Sequence, residues 1–384
     1  MISRKLRPFG VSIFSTMTRL ALEHEALNLA QGFPDFDGPG EIFDLARKAM
    51  EEGCNQYARS RGLPVLTASI AHHFTECYGL DYDPETEIVV TCGATEGLAA
   101  SILGLLDPGD EALLLEPYYD SYPACLAMAG ASFRSVPLVH PEFALDLEAL
   151  ESRITGRTRL LLLNDPHNPT GKVLGEEECE ALAALCTRHD LLVLEDAVYE
   201  QLTYDGRPFR PLAAFPGMRE RCLTVSSTGK TFSLTGWKIG WVAGPKGLVD
   251  AVQAAHQFLT FAVATPFQAA MAEALRRFGP PYLETFRNEY RERRDLLVEI
   301  LRDAGFQPAV PQGSYFVLAD ITGLTDKKAP EFALELIRRV GVAALPVDSF
   351  YTEGKEGEGS RLLRFAFCKR LDTLEEARRR LAAL

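Results

Sequence analysis

Short runs of consecutive apolar residues alternate with helical patterns along most of this chain, and this alternation restricts its fold more than any other feature. Apolar runs of strand length lie at residues 87–92, 111–115, 159–163, 191–195, 222–225 and 239–243. Helical patterns lie between them, for example at 97–106 and 176–189. Strands that are apolar at every position are buried on both faces, which is typical of a parallel sheet covered by helices. The sequence therefore predicts an α/β fold with a mostly parallel central sheet flanked by helices.

The last third of the chain has a different pattern. From about residue 245 to 304 it is long and helical, with an interruption at Gly-Pro-Pro, residues 279–281. Beyond it, strands are predicted near 314–319 and 362–367, and helices near 329–340 and 373–383. These elements predict a smaller α+β unit. Residues 353–359 are rich in glycine and glutamate, which predicts an exposed loop.

Composition excludes several classes of partner. The 384 residues carry 40 Lys and Arg against 53 Asp and Glu, a net charge of −13, which argues against nucleic acid or an anionic membrane surface. The longest apolar runs are about six residues, far below the roughly 20 of a membrane helix. No apolar signal-peptide core follows the basic start, so we expect a cytoplasmic protein. The eight cysteines show neither Cys-x-x-Cys nor zinc-like spacing, which predicts free thiols and no metal site.

Lys230 is the most conspicuous candidate for chemistry. It stands in Ser-Ser-Thr-Gly-Lys-Thr, residues 226–231, directly after an apolar strand. Small neighbours leave room for a ligand, and partial burial of a lysine frees its nucleophilic lone pair. Gly229-Lys230-Thr231 resembles the end of a P-loop, but the first glycine of that motif would fall on Thr224, so the P-loop is excluded. An ordinary surface lysine remains the alternative on this segment alone.

Three further polar segments follow predicted strands. Residues 91–97, Thr-Cys-Gly-Ala-Thr-Glu-Gly, lead from a strand into a helix whose free amides could bind an anion. Residues 164–171, Asn-Asp-Pro-His-Asn-Pro-Thr-Gly, form a turn at the carboxyl end of a strand, where open α/β sheets bind ligands. Asp196 ends an apolar strand and would be costly to bury without a partner. A tight connection, a structural turn and a solvated strand end are the respective alternatives.

Taken together, these segments resemble the class I/II aminotransferases, pyridoxal-phosphate enzymes of fold type I, and most closely their kynurenine, glutamine and methionine branch. The resemblance covers nearly the whole chain. The segments that carry it are 28–36 (Asn-Leu-Ala-Gln-Gly-Phe-Pro-Asp-Phe), 55–57 (Asn-Gln-Tyr), 93–96, 116–122 (Glu-Pro-Tyr-Tyr-Asp-Ser-Tyr), 168–171, 196–199 (Asp-Ala-Val-Tyr), 227–233 and 363–367 (Leu-Arg-Phe-Ala-Phe).

The resemblance implies pyridoxal 5'-phosphate as the cofactor. Lys230 would bind it covalently and later act as general acid and base. Asp196 would pair with the ring nitrogen and keep it protonated. Tyr199 and Asn168 would hydrogen-bond the phenolic oxygen of the ring.

Further roles at the cofactor follow from the same resemblance. Tyr119 would stack on one face of the ring and Val198 would pack on the other. The phosphate-binding residues would be Gly93, Ala94, Thr95, Ser227 and Lys238, together with Tyr57 of the neighbouring subunit.

The resemblance also implies a substrate site. Arg364 would bind the α-carboxylate bidentately, assisted by the Gly32 backbone and Asn168. Phe14 and, from the neighbouring subunit, Phe261 would line the side-chain pocket. The implied assembly is a homodimer with shared active sites and small-molecule substrates.

The implied domains are an N-terminal arm (1–40) that joins the small domain, a large cofactor-binding domain (41–280) and a small C-terminal α+β domain (281–384).

Two residues in these segments differ from the family pattern. Ala197 stands where relatives often have glutamate, and Ala262 stands where some kynurenine enzymes have histidine, which weakens a kynurenine-specific assignment.

The activity implied is transfer of an amino group from an L-amino acid to a 2-oxo acid. Aspartate-selective relatives bind the distal carboxylate with a second arginine, but residues 256–264 contain none. Glutamine, methionine and aromatic or kynurenine-type donors are therefore predicted. C–S β-elimination of cysteine conjugates at the same site is the alternative. A non-catalytic protein of this fold would be expected to lack Lys230, Asp196 or Arg364, and all three are present.

Overall fold

The predicted strands are present in a computed structural model, which describes residues 2–352 and 359–384. The predicted loop at 353–359 therefore lies almost wholly outside the described residues. The strands are β1 Leu27–Asn28, β2 Ile88–Cys92, β3 Glu111–Glu116, β4 Ser132–Pro137, β5 Thr158–Asn164, β6 Leu192–Asp196, β7 Cys222–Ser227, β8 Ile239–Ala243, β9 Gln307–Pro308, β10 Phe316–Asp320, β11 Val342–Ala343, β12 Leu345–Pro346 and β13 Leu362–Ala366.

Helices separate most of these strands. They are α1 Ile13–Glu23, α2 Gly40–Glu51, α3 Pro64–Tyr78, α4 Gly93–Leu105, α5 Ser121–Ala129, α6 Leu147–Ser152, α7 Glu176–Arg188, α8 Thr228–Thr231, α9 Lys246–Leu259, α10 Thr265–Arg277, α11 Pro280–Asp303, α12 Ala329–Glu335 and α13 Leu371–Leu381. The predicted interruption at 279–281 falls between α10 and α11, where proline occupies the first helical positions and can no longer continue the preceding helix.

The central sheet has seven strands in the order β2-β8-β7-β6-β5-β3-β4. All neighbours pair in parallel except β8, which is antiparallel to both β2 and β7. The inner strands are buried along their length, for example all six residues of β3. Because the inner strands β3, β5, β6 and β7 run parallel, their carboxyl ends lie together at one edge of the sheet. The prediction of a mostly parallel α/β fold is confirmed.

A smaller sheet has four strands in the antiparallel order β12-β13-β10-β9. The N-terminal strand β1 pairs in parallel with β11, which is close to this sheet in the chain. The N-terminal segment is thus in contact with the last part of the chain. The domain boundaries at residues 40 and 280 stay predictions.

One helix prediction was wrong at its start, and another was confirmed in its limits but not in its helix type throughout. Helix α4 begins at Gly93 instead of residue 97, because Gly93 adopts φ +68° and turns β2 directly into the helix. The helix predicted at 329–340 is α-helical to Glu335 and continues as one π turn, Leu336–Val340. None of the helices within the described ranges is long and apolar enough to cross a membrane.

Candidate active site

A cavity of about 480 Å³ lies at the carboxyl edge of the central sheet, beside the smaller sheet and the start of α1. All but two of the predicted site residues line it: Phe14, Gly32, Gly93, Ala94, Thr95, Tyr119, Asn168, Asp196, Val198, Tyr199, Ser227, Lys230, Lys238 and Arg364. They come from segments more than 300 residues apart in sequence. The fold therefore assembles one site from the polar strand ends.

Lys230 enters the cavity from α8, a single turn that follows β7. Its Nζ donates a hydrogen bond to the Tyr315 hydroxyl at 2.7 Å. Burial of the amine lowers the pKa of Lys230 to about 8, and the nearby Asp196 opposes this shift. A much larger fraction of the amine is therefore neutral near pH 8 than for an ordinary lysine, as a nucleophile or base requires.

Asp196 is the last residue of β6 and is fully enclosed. Its Oδ2 accepts a hydrogen bond from the Tyr122 hydroxyl at 2.7 Å, and Oδ1 accepts a longer one from the Val198 amide at 3.4 Å. Burial raises the pKa of Asp196 to about 6, whereas these hydrogen bonds and Lys230 act in the opposite direction. A carboxylate held in this way suits a ligand that brings its own proton or positive charge.

The start of α4 forms a tight cup lined by Gly93, Ala94 and Thr95. Lys238 faces it, with Nζ 3.4 Å from the Thr95 hydroxyl. Neighbouring backbone fills the space behind the cup, since a Cβ on Gly240 would lie 2.5 Å from the carbonyl carbon of Gly93. Free helix amides next to a lysine bind anions, phosphate among them. Ser227 lines the same part of the cavity.

Arg364 lies in the middle of β13 and is 1% exposed. Its guanidinium donates to Asn168 Oδ1 at 2.8 Å and to the Ala30 carbonyl at 2.9 Å, and Nε has no partner in the part of the chain that the structure describes. The guanidinium lies 3.9 Å from the centroid of the Phe316 ring. Burial lowers the pKa of Arg364 to about 10.

Within the described residues, Arg364 forms no ion pair with a carboxylate, and its polar partners are Asn168 and the Ala30 carbonyl. A buried cation without a counter-ion is costly, so the site favours an incoming carboxylate. Asn168 is itself held in place, because its backbone N–H donates to Asn164 Oδ1 at 2.7 Å. The side-chain amide of Asn164 in turn donates to the Asp196 carbonyl. The arginine and the aspartate are therefore linked through two asparagines.

Aromatic rings surround the position next to Arg364. Gly32 has no room for a side chain, because a Cβ would lie 2.5 Å from the Phe316 ring and 2.8 Å from the Tyr315 ring. The Phe14 ring lies 6.1 Å from the Tyr119 ring. Burial raises the pKa of Tyr119 to about 12, so its phenol stays neutral.

Tyr57 and Phe261 do not line the cavity. Their rings meet edge to face at 5.4 Å on the surface, where Tyr57 is 85% and Phe261 51% exposed. Phe258 beside them is 86% exposed. Their predicted roles require a second copy of the chain and stay predictions.

Several cavity or contact residues were given no role by the sequence analysis: Ser12, Gln31, Asp120, Tyr122, Asn164, Tyr315 and Phe316. Tyr122 and Asn164 lay in segments already singled out, and their nearness to a strand end was an available signal. Tyr315 and Phe316 begin a predicted strand, where adjacent aromatic residues point to opposite faces. No local pattern indicates that Phe316 would line this cavity while Tyr315 contacts Lys230.

Comparison with known proteins gives concordant matches. The family model for aminotransferase class I and II matches residues 24–381. The chain is 45% identical to the probable N-succinyldiaminopimelate aminotransferase of Mycobacterium tuberculosis (strain H37Rv), with 100% of this chain and 98% of that protein covered. It is 37% identical to the methionine aminotransferase of Escherichia coli (strain K12), with coverages of 99% and 97%. The solved N-succinyldiaminopimelate aminotransferase structure from M. tuberculosis superposes with a TM-score of 0.97 at 45% identity, covering 100% and 99%.

Proposed function

The chain belongs to the class I and II aminotransferases and is a pyridoxal-phosphate-dependent enzyme of fold type I; from this premise we propose its substrate class, residue roles and assembly. The proposed reaction moves the amino group of an L-amino acid with a neutral side chain to a 2-oxo acid. Glutamine, methionine and aromatic or kynurenine-type amino acids are the proposed donors.

The cavity residues fit pyridoxal phosphate. The cup at the start of α4 suits the phosphate, because free helix amides and Lys238 face it and a Cβ on Gly93 would lie 3.0 Å from Lys238 Nζ. Lys230 offers a partly neutral amine for the aldehyde, and Asp196 offers a buried acceptor for the protonated ring nitrogen. When bound, the cofactor supplies an electron sink that lets the substrate carbon lose its proton.

The remaining work falls to side chains of this chain. We propose that Arg364 binds the α-carboxylate through its unpartnered Nε and the neighbouring nitrogens, and that the Gly32 backbone completes this contact. This grip orients the substrate carbon toward Lys230, which takes its proton and returns it to the product. Tyr199 and Asn168 would hydrogen-bond the phenolic oxygen of the cofactor. Tyr119 and Val198 would pack on the two faces of the cofactor ring.

The observation that carries the donor preference is the number of cations around the cavity. Within residues 2–352 and 359–384, the basic residues that line it are Lys230, Lys238 and Arg364. In this proposal Lys230 binds the cofactor aldehyde, Lys238 its phosphate and Arg364 the substrate α-carboxylate. No basic residue among them is left for a distal carboxylate. Asp120 also lines the cavity and would repel one. Phe14, Tyr119 and Phe316 instead offer apolar surface, and burial of such a side chain contributes about 1.5–3 kcal/mol.

N-succinyldiaminopimelate is a second candidate donor, because the relative that bears this name is 45% identical over the whole chain. Its reacting end is an ordinary α-amino acid and would meet the same Arg364. Its acylated tail carries further carboxylates, which would have to extend beyond the cavity residues described above.

A donor panel tests this proposal. We expect kcat/KM with a common 2-oxo acid to be higher for methionine, glutamine, phenylalanine or kynurenine than for aspartate, with N-succinyldiaminopimelate included in the panel. Aspartate ahead of both methionine and phenylalanine would contradict the cation argument. Pyruvate and ammonia formed from a cysteine conjugate without any 2-oxo acid would favour the β-lyase alternative.

We also propose a homodimer with shared sites, supported by the exposed aromatic surface at Tyr57, Phe258 and Phe261. Tyr57 would reach the phosphate of the second copy and Phe261 its side-chain pocket. Mixing Tyr57→Ala and Lys230→Ala chains should restore one intact site per mixed dimer, and so regain activity. No recovery after confirmed subunit exchange would contradict shared sites.

A further inference from the structure

Tyr315 connects two parts of the site that have separate roles in the proposed reaction. Its hydroxyl accepts a hydrogen bond from Lys230 Nζ at 2.7 Å and donates one to the Gly32 carbonyl at 2.5 Å. We propose that Tyr315 is a positioning residue that orients the Lys230 amine so that its lone pair faces the substrate carbon. This inference rests on the proposed function, in which Lys230 moves the substrate proton.

The direction of the two hydrogen bonds supports this role. The Gly32 carbonyl can only accept, so the single hydroxyl proton of Tyr315 is committed to it. Toward Lys230 the hydroxyl can then offer only a lone pair, and it must accept an N–H. A neutral amine has two N–H bonds and one lone pair. Fixing one N–H restricts rotation about the end of a flexible side chain and limits where the lone pair can point.

The hydroxyl itself is held in place by packing. Tyr315 is fully buried, and its ring contacts the Tyr199 ring at 5.1 Å and the Phe316 ring at 4.8 Å. Gly32 lies against the same ring, so closely that any larger residue would displace it. The position of the Tyr315 hydroxyl oxygen is therefore set by packing against Tyr199, Phe316 and Gly32, and not by Lys230.

The backbone before Tyr315 explains how two adjacent aromatic residues reach the site. Ser314 adopts φ +59°, its carbonyl accepts from the Tyr204 hydroxyl, and its amide donates to the Leu202 carbonyl. This turn is held by the segment that follows β6. It places Tyr315 against Lys230 and Phe316 against the Arg364 guanidinium. One segment thus orients both the proposed base and the proposed carboxylate-binding group.

The lowered pKa of Lys230 agrees with this role, since only a neutral amine can accept the proton. When Lys230 takes the proton from the substrate carbon, its lone pair forms a new N–H bond as the C–H bond breaks, and the electron pair of that C–H bond would pass to the electron sink that the bound cofactor supplies. The ammonium that results keeps its hydrogen bond to Tyr315, because the hydroxyl oxygen accepts from either form. The proton is then available for return to the product.

The test compares Tyr315→Phe with Tyr290→Phe in the cofactor-loaded enzyme. Tyr290 is a matched control, because it is buried, stacks 6.3 Å from the Tyr315 ring, and has a hydroxyl that meets Ser233 and not Lys230. For each variant, kcat and KM are measured for the best donor, with hydrogen or deuterium on its α-carbon. Cofactor affinity is measured separately by absorbance titration of the cofactor-free protein.

We expect Tyr315→Phe to lower kcat about tenfold, a part of the effect typical of general acid–base groups. KM and cofactor affinity should stay within about twofold, and the deuterium isotope effect on kcat should rise because proton transfer becomes slower. Tyr290→Phe should change neither kcat nor the isotope effect.

Three results would overturn the proposal: an unchanged kcat and isotope effect in Tyr315→Phe, the same changes in Tyr290→Phe, or a loss confined to KM or cofactor affinity. A wild-type enzyme that transfers no amino group from any donor would contradict the proposed function instead. That result would be seen before any variant is made.

Discussion

Two groups of side chains in the cavity are assembled in different ways. The lysine group, Lys230, Asp196 and Lys238, comes from the ends of adjacent strands and turns in the central sheet. The arginine group, Arg364, Phe316 and Gly32, comes from the small sheet and from the N-terminal segment. The first is built from neighbours in one sheet, whereas the second depends on contacts between distant parts of the chain.

The charges of the two groups differ as well. Lys230 and Asp196 are both enclosed, and each moderates the pKa shift of the other. In the described part of the chain, Arg364 forms no ion pair with a carboxylate, and its Nε has no hydrogen-bond partner. Lys230 and Asp196 therefore nearly balance each other in charge, while Arg364, like Lys238 beside the free amides of α4, needs an anion from outside. This difference agrees with a resident cofactor on one side and an exchanging carboxylate substrate on the other.

Removal of the Lys230 side chain should have the largest effect on activity of any change in either group. We expect Lys230→Ala to lower kcat by about 10⁴-fold, the upper range for a general acid–base group. Lys246→Ala is the control, because Lys246 is exposed and pairs with Asp250 on the surface. Steady-state kinetics with the best donor measures both. A loss of less than tenfold in Lys230→Ala would place the base elsewhere.

A neutral replacement of the aspartate should come next. Asp196→Asn keeps a partner for Tyr122 but removes the charge that would hold a proton on the cofactor ring. We expect kcat to fall by about 10²-fold or more, with normal folding by circular dichroism. Glu195→Gln is a matched control one residue earlier on β6, since Glu195 bonds the Leu212 amide and Thr224 away from the cavity. Equal losses in the two variants would remove the special role of Asp196.

The arginine group should respond mainly in KM. Arg364→Lys keeps the charge but cannot bind a carboxylate bidentately, so we expect about 2 kcal/mol of lost binding, or about 30-fold in kcat/KM. Arg379→Lys is the surface control, because Arg379 pairs with Glu376 on an exposed helix. A decrease confined to kcat would mean that Arg364 does not bind the substrate carboxylate.

The last predicted effect leaves activity unchanged and concerns stability, at Glu195 next to Asp196 but outside the cavity. Burial raises the pKa of Glu195 to about 8 from its ordinary 4.5. The folded state therefore retains a proton that the unfolded chain releases above pH 4.5, so stability falls as pH rises from 4.5 to 8. Glu195→Gln removes this penalty and should stabilise by on the order of 1–3 kcal/mol at pH 8, with little gain near pH 5. Urea unfolding at both pH values measures it; a constant difference would contradict a neutral buried Glu195.

The same contrast explains what the sequence could predict. Asp196 ends the apolar strand β6 and Lys230 stands three residues after β7, so a local pattern singled them out as candidates. The central sheet was predictable for the same reason, because each inner strand is a continuous apolar run.

The arginine group was harder to predict from local pattern. Arg364 came only from the family resemblance, since an arginine inside a short strand carries no signal of its own. Tyr315, Phe316 and Tyr122 were missed because their roles depend on contacts far along the chain. Tyr122 contacts Asp196, Tyr315 contacts Lys230 and Phe316 contacts Arg364. The early start of α4 depended on one backbone angle at Gly93.

Covalent labelling of the lysine tests the central claim most directly. The holoenzyme is reduced with borohydride, digested, and mapped by mass spectrometry for the pyridoxyl group. The account predicts the label on Lys230 alone and its loss in Lys230→Ala, while Lys238 beside the phosphate cup stays unlabelled. A pyridoxyl group on any other lysine of the wild-type enzyme would contradict the assignment of the site.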